Sequence, residues 1–491
     1  MAKISDVVLL ICSLSKSEKR YFKLFSSIQE GDKFYLVLFD LIDKGSADRS
    51  ELKKKFEAQA KKASFDVTLK YLFKVLMKSM RAYDAEQNID AVLLRLLQEA
   101  RFLYKKGIYA ECLSQLEKVK VLAKKHEKNY YFLEAANLEL EYYTRTDFLN
   151  LSEQDLIEKQ GAISTIIDHE KQISAHADLY QLLLHRFVQK GVVRSEEEKQ
   201  KFDDLVLSEA GLISNPHYHS FHSQQLHLLF QSVYFRLIGT PELSLDIYHE
   251  LDALFQKYSF LWEENALYYI YVMEGILNNL QAVGQYEGIP FFIEKLKKLN
   301  QKDREEEQLW ALIYQFEIIF HIGQKNFPEA KKVLLYHKET LAKCAKSLLS
   351  AANAKVFYYN ALVYFGLKEW KNCLQSLNLI LNNDSSLVPD EYVTMSRMVA
   401  LIVHYEMKNH EYISYEIRGF ERKLKKKGTL YRLEKLLFKF FRSAIKSNDV
   451  RSEKKCLVAC RNDFKSLTDQ HYEEQFLKLF DFESWLEAKI K

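Results

Sequence analysis

The chain contains little glycine and little proline. Among its 491 residues there are 14 glycines and 5 prolines, whereas globular proteins contain about 7% and about 5% of these residues. Because tight turns depend on both residue types, a chain that lacks them has few turns. Residues 67–83 and 430–447, for example, contain neither. This shortage argues against a strand-rich fold and predicts an all-α protein with long helices.

Catalytic motifs are missing as well. The chain has no glycine-rich phosphate loop, no HExxH, no GxSxG and no kinase motif. Its six cysteines form no CxxC pair, and Cys456 and Cys460, four residues apart, have no further ligands nearby for a zinc site. We therefore predict a protein that is not an enzyme and needs no cofactor and no metal.

A membrane span is not expected, because no apolar stretch approaches about 18 residues without a charge. The apolar run near the start, residues 7–12, is short and follows Asp6, and Ile11 stands where a lipoprotein cleavage site needs a small residue. The absence of a disulfide-like cysteine pattern is typical of a reducing compartment. Together these features predict a cytoplasmic protein.

What the chain does contain is an internal repeat. An apolar segment ends at a glycine, and an amphipathic segment follows, in YKKGIYAECLSQLEKV, RLIGTPELSLDIYHEL, QAVGQYEGIPFFIEKL, FHIGQKNFPEAKKVLL and VYFGLKEWKNCLQSLN. The glycines are Gly107, Gly239, Gly284, Gly323 and Gly366; the last four are 45, 39 and 43 residues apart, and Gly191 falls inside the longer first gap. Glycine readily adopts the left-handed conformation that ends a helix. We therefore predict a left-handed glycine at each of these turns.

The five prolines agree with this pattern, because each stands where a helix should begin: Pro216, Pro241, Pro290, Pro328 and Pro389. Proline is tolerated in the first turn of a helix and is costly in its interior. Two helices of about 17 residues and two turns give a period of about 40–44 residues. From residue 90 onwards the chain is therefore predicted to form stacked antiparallel hairpins, which is a solenoid.

The strings FGLKEWKNCLQSL, KGIYAECLSQL and GQKNFPEAKKVL are similar to the turn of a tetratricopeptide repeat. In that family a small residue, an aromatic residue and a second small residue let two helices pack closely. Those roles fall here to Gly366, Trp370 and Cys373, to Gly107, Tyr109 and Cys112, and to Gly323, Phe327 and Ala330. The period exceeds the family's usual length of about 34 residues, and the proline that closes each repeat is missing. The resemblance implies a right-handed α-solenoid that binds proteins and has no catalytic residues of its own.

Residues 1–85 lack the repeat and form a separate predicted domain, with the solenoid over residues 86–491. Ser15 and Glu18 have the spacing of a capping box. Three helices are predicted after it, at about residues 33–43, 49–61 and 66–83.

The third of these helices has a basic face. Lys70, Lys74, Lys78 and Arg81 recur every three or four residues, and Leu69, Leu72, Phe73, Leu76 and Met80 form the opposite face. Up to Tyr83 the chain contains 17 Lys/Arg and 10 Asp/Glu. Two interpretations remain open: a cap over the first repeat whose lysines face water, or a helix-turn-helix-like bundle that binds DNA.

A second basic face lies near the other end of the chain. Residues 418–465 contain 16 Lys/Arg and 5 Asp/Glu. Within one predicted helix the cations alternate at three and four residues: Arg432, Lys435, Lys439, Arg442 and Lys446. Like charges at this spacing repel by a few tenths of a kcal/mol. The face is either solvated or binds an anionic partner, namely an acidic protein segment, a nucleic acid or the acidic middle of a second copy. A membrane surface comes last among these, because the apolar side of the helix should be buried in the solenoid.

Four of the 14 histidines lie close together, at His217, His219, His222 and His227. Asn215 and Pro216 are predicted to begin a helix, on which at most two of these histidines could bind one ion, and that helix contains no Asp, Glu or Cys. We therefore predict side chains in a seam between helices instead of a metal site. Protonation of His219 or His222 should then loosen the seam below about pH 6.

These observations favour a binding protein. Aromatic residues make up 13% of the chain, and strings such as NALYYIYVMEG (265–275) and AKVFYYNALVYF (354–365) should form core, with some tyrosines lining a groove. We predict a non-catalytic adaptor that binds a peptide or helix of a partner protein in a groove between residues 90 and 417. The alternative is a transcriptional regulator whose N-terminal bundle binds DNA and whose repeats sense a peptide.

Overall fold

The protein is all-α, as predicted. The computed structural model describes residues 4–27, 33–45, 49–60, 63–85, 88–190, 193–214, 220–262, 267–299, 305–344, 351–382, 390–447, 449–468 and 471–490. These residues form 26 α-helices and two single-turn 3₁₀ helices, with no strand among them. No helix in this part of the chain is long and apolar enough to cross a membrane.

The chain divides into two compact units. Unit 1 is essentially Met1–Glu170, and unit 2 comprises Lys171–Asn300 and Glu307–Lys491. Residues 4–84 have a hydrophobic core of their own within unit 1, separate from the core formed by residues 93–166.

Unit 1 begins with a bundle of five helices: α1 (Ile4–Ser13), α2 (Lys16–Ser27), α3 (Phe34–Asp43), α4 (Arg49–Gln59) and α5 (Phe65–Asp84). The three helices predicted from periodicity are α3, α4 and α5. The capping box is confirmed, because the Ser15 N–H donates to Glu18 Oε2 (2.6 Å) and the Glu18 N–H donates to Ser15 Oγ (3.2 Å). Helix α1 was not predicted, since its apolar run is short; it buries Val7 and Ile11.

The rest of unit 1 consists of α6 (Ile89–Lys105), α7 (Tyr109–Lys125), α8 (Asn129–Arg145) and the first part of α9 (Glu153–Lys190). Gly107 is left-handed at the turn between α6 and α7, as predicted. The regular period then stops, because α9 is a single helix of 38 residues that tolerates Gly161 in its interior. The turn predicted at Gly191 lies outside the described residues.

Unit 2 continues with helical hairpins. The helices are α10 (Glu196–Gln200), α11 (Asp203–Ile213), α12 (Phe221–Leu237), α13 (Pro241–Lys257), α14 (Leu267–Val283), α15 (Ile289–Lys298), α16 (Glu305–Gly323), α17 (Phe327–Tyr336), α18 (Lys338–Cys344), α19 (Ala351–Gly366), α20 (Trp370–Leu381), α21 (Asp390–Glu406), α22 (His410–Lys427), α23 (Arg432–Ile445), α24 (Val450–Thr468), α25 (His471–Leu477) and α26 (Phe482–Ile490). Sequential pairs such as α12–α13, α19–α20 and α23–α24 pack together, and α13 and α20 also contact the helix that follows them. Pro241, Pro290 and Pro328 lie in first turns, as predicted; Pro216 and Pro389 lie outside the described residues.

Five hairpin turns of unit 2 share one geometry. In each of these five, a left-handed residue follows the first helix, at Gly239, Gly284, Lys325, Lys368 and Lys408. These residues are 45, 41, 43 and 40 apart. In every case the next N–H donates to the carbonyl five residues earlier, over 2.8–2.9 Å. This is the hydrogen bond of the Schellman motif, so a real structural period of about 40–45 residues underlies the sequence pattern.

The prediction of left-handed glycines was wrong at Gly323 and Gly366. Both are the last helical residue of α16 and α19, and the left-handed conformation falls two residues later, on Lys325 and Lys368. A Cβ on Gly323 would overlap the Tyr286 ring, and one on Gly366 would overlap the Phe327 ring. These glycines therefore let an aromatic ring of the preceding hairpin pack against the helix backbone.

The helices of unit 2 differ in burial. In α21, 11 of 17 residues are buried, all around the helix, whereas α22 buries only 4 of 18, on one face. Helices α14, α16 and α19 resemble α21, with buried residues on several sides. A helix that is apolar all round is covered by other elements on every side. We call α14, α16, α19 and α21 the inner helices.

Candidate functional site

Charged and polar side chains from four helices converge on the inner helices. They are Arg236 on α12, Glu274 and Gln281 on α14, Lys355 and Tyr359 on α19, and Glu391 and Tyr392 on α21; we call this set the inner polar cluster. Lys355 Nζ lies 3.8 Å from Glu274 Oε1, with 23% and 33% of the two side chains exposed. Gln281 Nε2 donates to Tyr359 Oη over 2.7 Å.

The inner polar cluster contains as many cations as carboxylates. Burial raises the pKa of Glu391, while Lys355 and Arg236 act in the opposite direction. Burial also raises the pKa of Tyr359 well above its usual value, so its hydroxyl stays protonated. Arg236 Nη1 donates to the carbonyl of Asn278 over 3.3 Å. Two cations, two carboxylates and phenol groups can hold a polar segment by ion pairs and hydrogen bonds.

Tyrosines border the inner polar cluster. The Tyr248 ring packs against Gly275, where a Cβ would overlap it, and Tyr248 interacts electrostatically with Arg236. On α14, Tyr268 and Tyr271 are about half exposed. Tyr271 precedes Glu274 by three residues, so these two side chains lie on the same side of the helix. This is the string that the sequence indicated as core with some tyrosines lining a groove.

The chain's own C-terminal segment, residues 476–489, also lies on the inner helices. Tyr358 Oη donates to the carbonyl of Leu479 over 2.8 Å. The Phe480 ring contacts Phe365 edge-on, with centroids 5.0 Å apart. Lys325 Nζ lies 3.3 Å from Asp481 Oδ2. The segment therefore crosses the ends of α16 and α19.

The segment then reaches the end of α21. Trp485 Nε1 donates to Glu406 Oε1 over 2.8 Å, and Lys489 Nζ lies 2.7 Å from the other oxygen of that carboxylate. The Tyr358 and Tyr392 rings contact each other at 5.5 Å. Because Tyr392 belongs to the inner polar cluster, the C-terminal segment borders that cluster. Nothing in the sequence pattern indicated this arrangement.

A buried ion cluster links distant parts of unit 2. Arg194 Nη1 donates to Glu434 Oε1 over 2.6 Å, and Nη2 donates to Glu473. The guanidinium lies between the rings of Tyr431 and Phe476, at 4.1 and 4.3 Å from their centroids. We call Arg194, Glu434 and Glu473 the Arg194 cluster. Sequence patterns did not predict this cluster, although Glu434 stands three residues from Leu437 and seven from Phe441 and so had to lie on the apolar side of α23.

The histidine group does not form a metal site among the described residues. His227 is buried, and its Nδ1 contacts Glu209 on α11, which places it in a seam between helices as predicted. His222 is half-buried beside Phe221, and His217 and His219 lie outside the described residues.

The start of the histidine-bearing helix differs from the prediction. Helix α12 begins at Phe221, with Ser220 as its N-cap, whose side chain accepts from the Ser223 N–H. The helix start predicted at Asn215 and Pro216 lies outside the described residues. The sequence analysis also missed that His176 of α9 lies beside the His227 ring, with centroids 6.3 Å apart.

Both basic faces are exposed. Lys70, Lys74, Lys78 and Arg81 lie on the exposed side of α5. Arg432, Lys435, Lys439 and Arg442 lie on the exposed side of α23, and Lys446 follows its last residue. The predicted apolar sides are buried or half-buried in both helices.

The buried cysteines are poor nucleophiles. Burial raises the pKa of the Cys112 thiol to about 11 and that of the Cys373 and Cys460 thiols to about 12. These thiols are protonated at neutral pH, and a thiol is far less nucleophilic than a thiolate.

Comparison with protein-family models, with curated proteins and with solved structures finds no match to this chain.

Proposed function

We propose that the protein is a non-catalytic interaction scaffold, a right-handed solenoid of tetratricopeptide-like hairpins that binds a peptide or helix of a partner protein on the inner polar cluster. The repeated Schellman turns and the aromatic rings packed on Gly323 and Gly366 support the likeness to that repeat family.

One observation carries the proposal: Glu274, Lys355 and Glu391 stand on inner helices that are otherwise largely apolar and buried, and yet they remain partly exposed. Arg236 of α12 is also partly exposed and interacts with Glu391. Charged residues seldom occupy such positions unless they are paired or bind something. Here Lys355 and Glu274 are 3.8 Å apart, which is a loose ion pair. A partner segment with both charge signs can complete it.

The C-terminal segment supports the proposal because it illustrates the contacts that the inner helices can make to a bound segment. It is held through a tyrosine hydroxyl on a backbone carbonyl, an indole N–H on a carboxylate, and an edge-to-face contact between aromatic rings. A peptide or helix that binds on a helical surface is held by side-chain anchors that fit into a groove between helices. A partner segment beside residues 476–489 would use the same types of contact.

Photo-crosslinking in the native cell tests the proposal. A photoreactive phenylalanine analogue is placed at the position of Tyr271, beside the cluster, and in a second chain at Tyr336, which is 84% exposed on α17. We expect a discrete crosslinked partner from the first position only, because the partner should lie against α14.

The matched variant is the charge swap Glu274→Lys with Lys355→Glu, which keeps the ion pair but reverses the pattern that a partner meets. It should keep the melting temperature and abolish the crosslink at position 271. A crosslink that survives the swap, or that forms equally at position 336, contradicts the proposal.

A further inference from the structure

Helices α22, α23 and α24 form a broad basic surface. The exposed side of α23 is bordered by both neighbours, since Arg442 pairs with Glu421 of α22 and Lys439 pairs with Asp463 of α24. Cations therefore stand in three adjacent rows. Packed helices are about 8–10 Å apart, so the rows cover roughly 20 Å across.

Acidic groups on this surface are already engaged. Glu421 accepts from Arg442 and lies 2.9 Å from Lys425, and these contacts lower the pKa of its carboxyl. Glu453 accepts from the Tyr405 hydroxyl. The surface therefore keeps a large excess of positive charge that its own carboxylates do not neutralise.

Many of the exposed cations have no acidic partner among the described residues. They are Arg418, Arg422, Lys423 and Lys426 on α22, Arg432, Lys435 and Lys446 on or next to α23, and Arg451, Lys454 and Lys455 on α24. Like charges this close destabilise a helix slightly. Binding of an extended anion would offset the repulsion among these ten cations and would therefore stabilise the folded protein.

The length of the row of cations on α23 matches a run of regularly spaced phosphates. The row on α23 runs over about 21 Å at 1.5 Å per residue, and each strand of a duplex presents one phosphate per about 3.4 Å of axis. About six phosphates of one strand can therefore lie along this row. We infer that the surface of α22–α24 binds the phosphodiester backbone of a nucleic acid, independently of the inner polar cluster.

Two other features separate a nucleic acid from other anions. Tyr415 is 78% exposed on α22, one turn before Arg418, where it can stack on an unpaired base at the end of a duplex or in a single strand. The apolar side of α23 is buried, including Leu433, Leu437 and Phe441 at 0% exposure. A helix whose apolar side is used in the core has little to insert into a lipid surface.

The test measures the binding of the full chain to labelled duplexes of about 25 base pairs, one DNA and one RNA, at about 50 mM and about 200 mM salt. Fluorescence anisotropy gives the affinity at each salt concentration. If six phosphates are contacted, the wild-type affinity falls about 1,000-fold over this range. The tighter duplex identifies the type of nucleic acid.

The decisive variant is Arg432→Gln/Lys435→Gln/Lys446→Gln, whose side chains are exposed and carry no contact that folding needs. Its affinity should drop at least about 10-fold at low salt, and its salt slope should fall by about 3. The matched control is Lys70→Gln/Lys74→Gln/Lys78→Gln on α5, which removes the same charge at similar spacing and should bind like wild type. Circular dichroism confirms that both variants are folded.

Four results would overturn the inference: no binding to either duplex at low salt, equal losses in the two variants, equal or tighter binding of poly-glutamate at matched charge, or tighter binding of phosphatidylserine vesicles. Poly-glutamate would identify an acidic protein segment as the partner, and the vesicles would identify a membrane surface.

Discussion

Each unit contains a buried ion cluster among its described residues, and the two clusters are opposite in sign and in reach. In unit 1, Glu139 is held by Lys120 and Lys159, both at 2.8 Å and within 20 residues of it. In unit 2, Arg194 is held by Glu434 and Glu473, which are 240 and 279 residues away.

The two clusters also differ in their access to water. The lysine side chains of unit 1 are 11% and 25% exposed, so each can turn toward solvent if Glu139 is lost. The carboxylates of Glu434 and Glu473 are 0% and 5% exposed and have no such route. A buried charge that loses its partner is costly, whereas a charge that reaches water is not. Comparable substitutions should therefore have unequal effects in the two units.

The largest expected effect comes from Arg194→Met, which leaves two carboxylates buried without their cation. We expect the free energy of unfolding of unit 2 to fall by about 3–5 kcal/mol. All four tryptophans, Trp262, Trp310, Trp370 and Trp485, lie in unit 2. Urea unfolding followed by tryptophan fluorescence therefore reports this unit alone.

Two variants control this result. Arg194→Met/Glu434→Leu/Glu473→Leu removes the charges together and should recover most of the loss, because an apolar replacement of a buried ion cluster is often neutral or stabilising. Glu139→Gln should cost about 1–2 kcal/mol in unit 1 and leave the tryptophan transition unchanged. A tryptophan midpoint that is the same in Arg194→Met and wild type would refute the comparison.

The two units also differ in the conformation and surroundings of their glycines, for which the expected effects on stability are smaller. Gly107 in unit 1 is left-handed with open space around the position of a Cβ, whereas Gly366 in unit 2 is helical and faces the Phe327 ring. Asparagine tolerates the left-handed conformation but adds bulk. Gly107→Asn should therefore cost a few tenths of a kcal/mol, and Gly366→Asn about 1–3 kcal/mol.

The measurement is the urea midpoint, by circular dichroism for Gly107→Asn and by tryptophan fluorescence for Gly366→Asn. Adding Phe327→Leu makes room beside residue 366 and should restore part of the loss there. Equal losses of stability in the two asparagine variants would contradict the claim that Gly366 makes room for the Phe327 ring.

These glycines also mark the limit of what the sequence predicted. Gly107, Gly239 and Gly284 were correctly predicted as left-handed, because a glycine after an apolar segment usually ends a helix. At Gly323 and Gly366 the same pattern arises from tertiary packing of a ring that is distant in the chain. A left-handed glycine and a glycine that makes room for a ring can be told apart only from the structure, in which Tyr286 packs against Gly323 and Phe327 packs against Gly366.

The helices were predictable because the period of 3.6 residues is a local property. The all-α class, α3 to α5 and the two basic faces followed from it. The inner polar cluster and the Arg194 cluster did not, because their members lie on different helices and each looks like a surface charge on its own. Glu434 is the exception, since its place on the apolar side of α23 was visible in the sequence.

The smallest expected effect is a pH dependence of unit 2. Burial lowers the pKa of His176, His337 and His404 below the ordinary value of 6.5, so in this range the unfolded chain binds more protons than the folded one. The free energy of unfolding of unit 2 should therefore fall as the pH drops below about 6.5. His176 faces Glu209 and His227. The carboxylate of Glu209 raises the pKa of His176 and so partly opposes the effect of burial.

The tryptophan-detected urea midpoint at about pH 7.5 and about pH 5.5 measures this dependence. Trp310 also reports directly, because its Nε1 donates to His337 Nδ1 over 3.2 Å and protonation of that nitrogen removes the acceptor. His176→Gln should reduce the difference between the two midpoints. Equal midpoints in the wild type would exclude the effect.

The reach of the Arg194 cluster has a consequence for synthesis in the cell. A ribosome adds about 5–20 residues per second, so the 279 residues between Arg194 and Glu473 take about 15 to 55 seconds to make. The guanidinium has neither of its carboxylates for the first 240 of these residues, and it has only Glu434 until Glu473 is made. The last step of folding of unit 2 therefore has to wait until residue 473 has left the ribosome, and the nascent chain needs protection from aggregation until then.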